Sequence, residues 1–283
     1  MTAKALVDLH VHSHISDGSD SINELLHKAH EQRIQTLSIV DHDTTDSYSL
    51  AQAKAQELNI NLIPGIEISS FDFKRNRKVH VLGYNYHLDA PHIRAITQPL
   101  QEKRHEHSIK QIEALQSAGI NIQLEEVNNI AQDSTVIYKQ HIMDAITGFD
   151  YNSTEYKQLY RKLFKNDGPA AGDIEYIDYK DAIRAIKQDQ GIAVIAHPGQ
   201  LDSYDAIEEA IALGVDGIEL YHPDHTLEDI KKVLTIAERH NLLLTGGSDY
   251  HGSYGERVNM GLYEHLLNLN LSDETLISKV KEN

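Results

Sequence analysis

The sequence predicts an α/β fold with a mostly parallel sheet, interrupted by a helical segment. Short apolar runs alternate with helical periodicity along most of the chain, which is the pattern of βαβ units. Between about Pro91 and Gly168 the helical period continues with no clear strand. The 283 residues suffice for one large domain carrying an insertion.

The elements follow in order. LVDLHVHSHISDG (6–18) opens as a buried strand. SINELLHKAHEQ reads as a helix: Ser21 and Glu24 match a capping box, and Ile22, Leu25, Leu26 and Ala29 share a face. TLSIV (36–40) is a short buried strand and SYSLAQAKAQEL a helix. INLIPGIEI and KVHVLGYNY read as strands around the polar loop SSFDFKRNR. PLQEKRHEHSIKQIEALQSAG is a long amphipathic helix closed by Gly119. TVIYKQHIMDAIT and STEYKQLYRKLF continue as helices. GIAVIA (191–196), VDGIEL (215–220) and NLLLTG (241–246) are then strands, each preceded by a helical segment. About seven strands result, close to the eight of a TIM barrel. The expected division is a barrel in two parts, 1–97 and 169–283, around a helical insertion at 98–168.

The apolar share of 40% and charged share of 24% are those of a globular protein. No apolar run is long enough to span a bilayer. The first ten residues lack a signal-peptide pattern, so a cytoplasmic location is expected. The net charge of −17 argues against an extended basic nucleic-acid surface. With no cysteine, any metal site must use nitrogen and oxygen ligands.

Polar residues gather at the strand ends, where α/β barrels build active sites. The first strand supplies His10 and His12, then Asp17. Residues two apart in a strand face the same way, so the two imidazoles project together. His42, Glu67, His80, His197, Asp249 and His251 complete nine candidate ligands. Nine imidazoles and carboxylates imply two or three divalent ions, with at least one carboxylate bridging; manganese, iron or zinc suits them. Such a centre would activate a metal-bound water as a nucleophile for hydrolysis. Asp8, Asp41 and Asp43 are candidates to orient the imidazoles. His225 is a candidate for contacting phosphate or protonating the leaving oxygen, and Arg257 for binding substrate. His222 reads as loop support and His14 as a non-ligand. His27, His30, His105, His107, His240 and His265 lie on helical segments and read as structural or solvent-facing. KRNRK (74–78) reads as a solvated hairpin tip, with phosphate steering as the other use.

DLHVHSHISDG, VDHDTT, GIEIS, VHVLGY, IAHPG and GSDYHG resemble the motifs of the PHP (polymerase and histidinol phosphatase) family, over residues 5–85 and 170–255. The resemblance implies a distorted (β/α)7 barrel, TIM-like, with a metal cluster at the strand ends. It implies one ion at His10, His12, Glu67 and Asp249, a second at Glu67, His80 and His197, and a third at Asp17, His42 and His251. Asp17 stands where some members carry histidine, which implies a weaker or more manganese- or iron-selective third site. The helical insertion resembles the subgroup of 3′,5′-nucleoside bisphosphate phosphatases and 5′-to-3′ exoribonucleases. Lys139 and His141 stand where related phosphatases carry substrate-facing residues. The expected activity is a metal-dependent phosphoesterase on a small phosphorylated substrate such as a nucleotide. An exonuclease on short oligonucleotides is the near alternative, with histidinol phosphate a less favoured substrate. A metal-dependent amidohydrolase and a non-catalytic metal-binding module are the alternatives of another class.

Overall fold

The computed structural model describes residues 6–263. His265 and the last part of the expected second barrel segment lie outside the described residues. Seven principal strands are β1 (Leu6–Val11), β2 (Ile34–Ile39), β3 (Gly65–Ile68), β4 (Val81–Tyr84), β5 (Ile192–Ile195), β6 (Gly217–Tyr221) and β7 (Leu243–Gly246). The first helices are α1 (Ile22–Glu31), α2 (Asp46–Glu57), α3 (Pro91–Ser117), α4 (Leu124–Ile130), α5 (Lys139–Ile146), α6 (Thr154–Phe164) and α7 (Tyr179–Gln188). Among the described residues no helix is long and apolar enough to cross a membrane.

β1 and β2 pair in parallel, flanked by the short strands Leu262–Tyr263 and Asn61–Leu62. The other sheet has the order β7-β6-β5-β4-β3. Single bridges span both seams between the sheets: Val11 to Tyr250, just past β7, and His42, just past β2, to Glu67 in β3. Neighbours in space are therefore neighbours in sequence, and both seams meet at the rim where polar residues collect.

The sheet is mixed rather than parallel: β4 runs antiparallel to β3 and β5. Between β3 and β4 lies a hairpin of Ser70–Asp72 and Arg77–Lys78, with no helix. A parallel neighbour needs a crossover of about a dozen residues or more, usually helical, so this connection reverses the chain. His80 accordingly precedes β4 instead of ending it. Because β4 runs the other way, its start lies on the rim where the other strands end. INLIPGIEI is also not one strand; Asn61–Leu62 and β3 are separated at Pro64, which has no N–H for the ladder.

The helices start and stop on local chemistry. In α1, Ser21 Oγ accepts the Glu24 N–H and the Glu24 carboxylate accepts the Ser21 N–H, closing the capping box. Gly119 follows α3 with φ of +80°, a conformation glycine adopts without strain. α3 begins at Pro91, eight residues before the expected Pro99, and runs through the expected boundary at 97/98. Its first N–H groups are capped from far along the chain: Asp189, beyond α7, accepts from His92 and Ile93 at 3.0 and 2.8 Å. Ile183 and Ile186 of α7 share a buried cluster with Ile66, Val81 and Ile195 of the sheet. The helical segment has its own core, including Ile112, Leu115, Ile142, Met143, Leu163 and Phe164.

Candidate active site

β1 delivers His10 and His12 fully buried, their rings 5.3 Å apart. Glu67 of β3 stands among five imidazoles, His42 Nδ1 being 3.5 Å from its Oε2. Its Oε2 lies 3.3 Å from His10 Nε2 and 3.2 Å from His12 Nε2; its Oε1 lies 2.8 Å from His80 Nδ1 and 2.9 Å from His197 Nε2. Asp249 Oδ1, past β7, is 3.3 Å from both His10 and His12. Asp17 Oδ1 is 3.4 Å from His251 Nε2, and its Oδ2 is 3.9 Å from His42 Nε2. The structure thus brings His10, His12, Asp17, His42, Glu67, His80, His197, Asp249 and His251 to one rim. Seven of them form three groups of potential ligand atoms: His10–His12–Glu67, His42–Glu67–His80, and His12–Asp17–His42–His251; His197 and Asp249 border these groups without belonging to one. Unlike the expected grouping, His12 and His42 each belong to two.

The donor set fits divalent ions. Nδ1 of His12 and Nδ1 of His197 are buried without a hydrogen-bond partner. Leaving one such atom unsatisfied costs about 1–3 kcal/mol, which coordination would offset. Burial disfavours charge on His12, but Asp249 and Glu67 outweigh it and raise its pKa to about 10. Burial holds His42 down at about 4, keeping a lone pair free. Burial also opposes ionisation of Asp17, Glu67 and Asp249, yet the facing imidazoles hold all three below the usual carboxylate range. A cation can therefore take the place that protons hold among these carboxylates.

The supporting contacts differ from expectation. Glu219 of β6, fully buried, places Oε1 2.9 Å from His10 Nδ1, while its Oε2 accepts the His197 N–H at 2.8 Å. Its signal was a lone carboxylate inside an apolar strand. Asp8, Asp41 and Asp43 do not orient imidazoles, because other donors take their oxygens. Asp8 accepts N–H groups of His10, Ser248 and Gly261; Asp41 accepts the hydroxyls of Ser13, Ser16 and Ser47; Asp43 accepts from Ser69 N–H and Arg104. His222 Nε2 sits 3.2 Å from Asp249 Oδ2 and steadies that carboxylate. Gly247 lets β7 approach β1: a Cβ there would stand 2.4 Å from the His10 backbone nitrogen.

Three substrate candidates are placed elsewhere. His225 donates from Nδ1 to the Leu220 carbonyl at 2.8 Å and accepts the Gly199 N–H on Nε2 at 3.1 Å. With both nitrogens committed, it has no proton to give a leaving group. Arg257 is 77% exposed and its guanidinium is taken by Asp150. His141 is buried, its Nδ1 accepting the Tyr138 N–H at the start of α5, so it is a helix cap. Burial holds His141 down at about 4, against about 6.5 in an unfolded chain. Between those values the unfolded state binds the extra proton, so stability falls as pH drops from 6.5 toward 4, by up to about 3 kcal/mol. His141→Asn, whose amide oxygen can still accept the Tyr138 N–H, is expected to flatten that part of the melting-temperature profile.

Lys139 does reach the site. It borders a cleft of about 210 Å³ that also touches Asp17, His42 and His80. Lys78 and Arg104 line the same cleft, together with Tyr138, Tyr156 and Tyr176. Arg104, from α3, lies 2.7 Å from Asp43 Oδ2 and 3.0 Å from Ser69 Oγ, its guanidinium over the Tyr138 ring. Its Nε has no partner. In sequence Arg104 stands among the helix charges KRHEH, with nothing to separate it from a solvated face. His107, expected to be structural, also borders the cleft. Of KRNRK, Lys74 and Arg75 pair with Glu209 and Arg77 with Asp202, as a tied-down hairpin tip; Lys78 faces the cleft, paired at 2.6 Å with Asp173, which also lines the cleft and lies 3.7 Å from Lys139.

Histidines and carboxylates on one rim, opening onto a cleft with cationic walls, define a metal-dependent hydrolase of phosphate esters. Residues 8–212 match the PHP domain, and the chain belongs to that family. It is 43% identical over 254 residues to a phosphoribosyl 1,2-cyclic phosphate 1,2-diphosphodiesterase from Eggerthella lenta, covering 90% of this chain and 97% of the relative. It is 29% identical to a 3′,5′-nucleoside bisphosphate phosphatase from Chromobacterium violaceum, covering 87% of each. A solved structure from Bifidobacterium adolescentis, assigned as a metal-dependent phosphoesterase, superposes with a TM-score of 0.82 at 26% identity, covering 96% of this chain and 97% of that one. This chain is a metal-dependent phosphoesterase.

Proposed function

We propose that the substrate is a ribose carrying two phosphoryl groups, one hydrolysed at the metal-ligand rim and the other held in the cationic cleft. The carrying observation is the cleft itself, whose lining joins Asp17, His42 and His80 to Lys78, Arg104 and Lys139. In a chain of net charge −17 these cations have a specific use. The substrates named for two relatives, a phosphoribosyl cyclic phosphate and a nucleoside 3′,5′-bisphosphate, share that pair of phosphoryl groups on ribose.

Two or three manganese, iron or zinc ions would be held by the nine rim residues, with Glu67 shared. When bound, such ions supply Lewis acidity, neutralising charge on the phosphoryl oxygens and acidifying solvent. The chain's own groups orient the reaction. Glu219 fixes the His10 ring, His222 steadies Asp249, and Arg104 and Lys139 seat the distal phosphate. The two sheets with their bridged seams are read as the distorted (β/α)7 barrel, with residues 98–168 as its insertion. A cytoplasmic location agrees with a nucleotide or sugar-phosphate substrate. An oligonucleotide exonuclease would need a cationic track beyond one nucleotide, and an amidohydrolase would have no use for the cationic wall.

The test compares manganese-loaded protein on phosphoribosyl cyclic phosphate, adenosine 3′,5′-bisphosphate, adenosine 3′-monophosphate and a short RNA. Two-phosphate riboses should be favoured over the monophosphate in kcat/KM. Lys139→Ala should erase that preference mainly through KM, by about tenfold for one charge-assisted contact. Equal kcat/KM for bisphosphate and monophosphate, unchanged by the substitution, would refute the two-phosphate reading.

A further inference from the structure

We propose that a second pocket beside the rim receives the nucleobase of the substrate, so that the preferred substrate is a nucleotide and not a base-free sugar phosphate. This deepens the two-phosphate reading and depends on it. Tyr151 borders three hollows: the cationic cleft, a hollow lined by Asp249 and His251, and a pocket of about 390 Å³. Tyr254 borders the last two. The three hollows therefore adjoin, with Tyr151 and Tyr254 as the walls between the rim and that pocket.

Its lining is aromatic and acidic. Phe149, 50% exposed, joins Tyr151 and Tyr254 in the wall. Asp144, Asp150 and Asn152 supply the polar atoms. The Tyr254 hydroxyl donates to Asp144 Oδ2 at 2.6 Å, leaving the other oxygen able to accept an N–H. Arg257 is drawn off by Asp150, so the pocket offers no spare cation to a phosphate. Rings that stack and carboxylates that accept N–H suit a neutral planar group with an exocyclic amine, as on adenine, cytosine or guanine. The two sides of the rim thus differ: Lys78, Arg104 and Lys139 line the cleft toward the distal phosphate, and aromatic rings with two aspartates line the pocket toward the base.

The test sets adenosine 3′,5′-bisphosphate against 1-O-methylribose 3,5-bisphosphate, identical in its phosphates but lacking the base, on manganese-loaded protein. Wild type should favour adenosine about tenfold or more in kcat/KM, as one stacked base is worth. Phe149→Ala should collapse that preference, and saturation-transfer NMR should show adenosine contact in wild type that the variant loses. Equal turnover of the two substrates by wild type sinks the base pocket and leaves the two-phosphate reading standing. A preference that survives Phe149→Ala and Asp144→Asn alike also sinks it. Adenosine contact with no turnover of either substrate overturns the two-phosphate reading, and with it the claim that the pocket serves the substrate's base. Neither contact nor turnover overturns both.

Discussion

Glu67→Ala is expected to abolish phosphoesterase activity and strip the protein of bound divalent metal. Among the described residues no other side chain faces as many partners on the rim: its two oxygens reach His10, His12, His80 and His197 within 3.3 Å and His42 at 3.5 Å. It is 1% exposed, so solvent cannot replace the lost charge. Removing one partner of a buried ionic arrangement typically costs about 3–5 kcal/mol, and the same imidazoles would lose their shared counter-charge. Glu67→Gln separates folding from chemistry. The amide preserves volume and one acceptor while removing the negative charge, so the fold should persist by circular dichroism while metal content and turnover fall. Elemental analysis of the purified variant beside wild type gives the reading. Wild-type metal content together with wild-type turnover in Glu67→Gln would remove Glu67 from the centre.

The rim was legible in sequence for a simple reason. Strand periodicity places His10 and His12 together whatever the rest of the chain does, and side chains at strand ends have few other places to go. His80 shows how robust this is: β4 runs opposite to expectation, yet a residue on the other end of a reversed strand lands on the same rim. What escaped were roles set by contacts between distant segments. Glu219 matters because His10 and the His197 backbone lie 209 and 22 residues away in sequence but within 2.9 Å in space. His225 looked available because nothing local announces that Gly199 and Leu220 occupy both of its nitrogens. α3 begins early because Asp189 caps it from beyond α7, a signal that no window around Pro91 contains. Orientation of a strand, commitment of a ring nitrogen and a cap supplied at long range all depend on the assembled fold.

Arg104→Met should damage the protein twice, and the two effects can be separated. Asp43 is fully buried and Arg104 is its cationic partner at 2.7 Å, the arginine side chain only 15% exposed. Without the guanidinium the aspartate is a buried charge with only the Ser69 N–H to satisfy it, a loss of about 3–5 kcal/mol. Pairing the change with Asp43→Asn should restore most of that stability. The asparagine oxygen can still accept the Ser69 N–H, and asparagine tolerates the left-handed backbone at this position, where φ is 59°. Phosphate binding should not recover, because the double variant still lacks the guanidinium in the cleft wall. The expected pattern is therefore a low melting temperature with high KM in Arg104→Met, and a near-wild-type melting temperature with the same high KM in the double variant. Arg104→Lys should fall between them, keeping the charge but losing the planar fork that reaches Asp43, Ser69 and a phosphate together. If KM returned to the wild-type value along with stability in the double variant, Arg104 would be a structural strut for Asp43, and the cationic wall would reduce to Lys78 and Lys139.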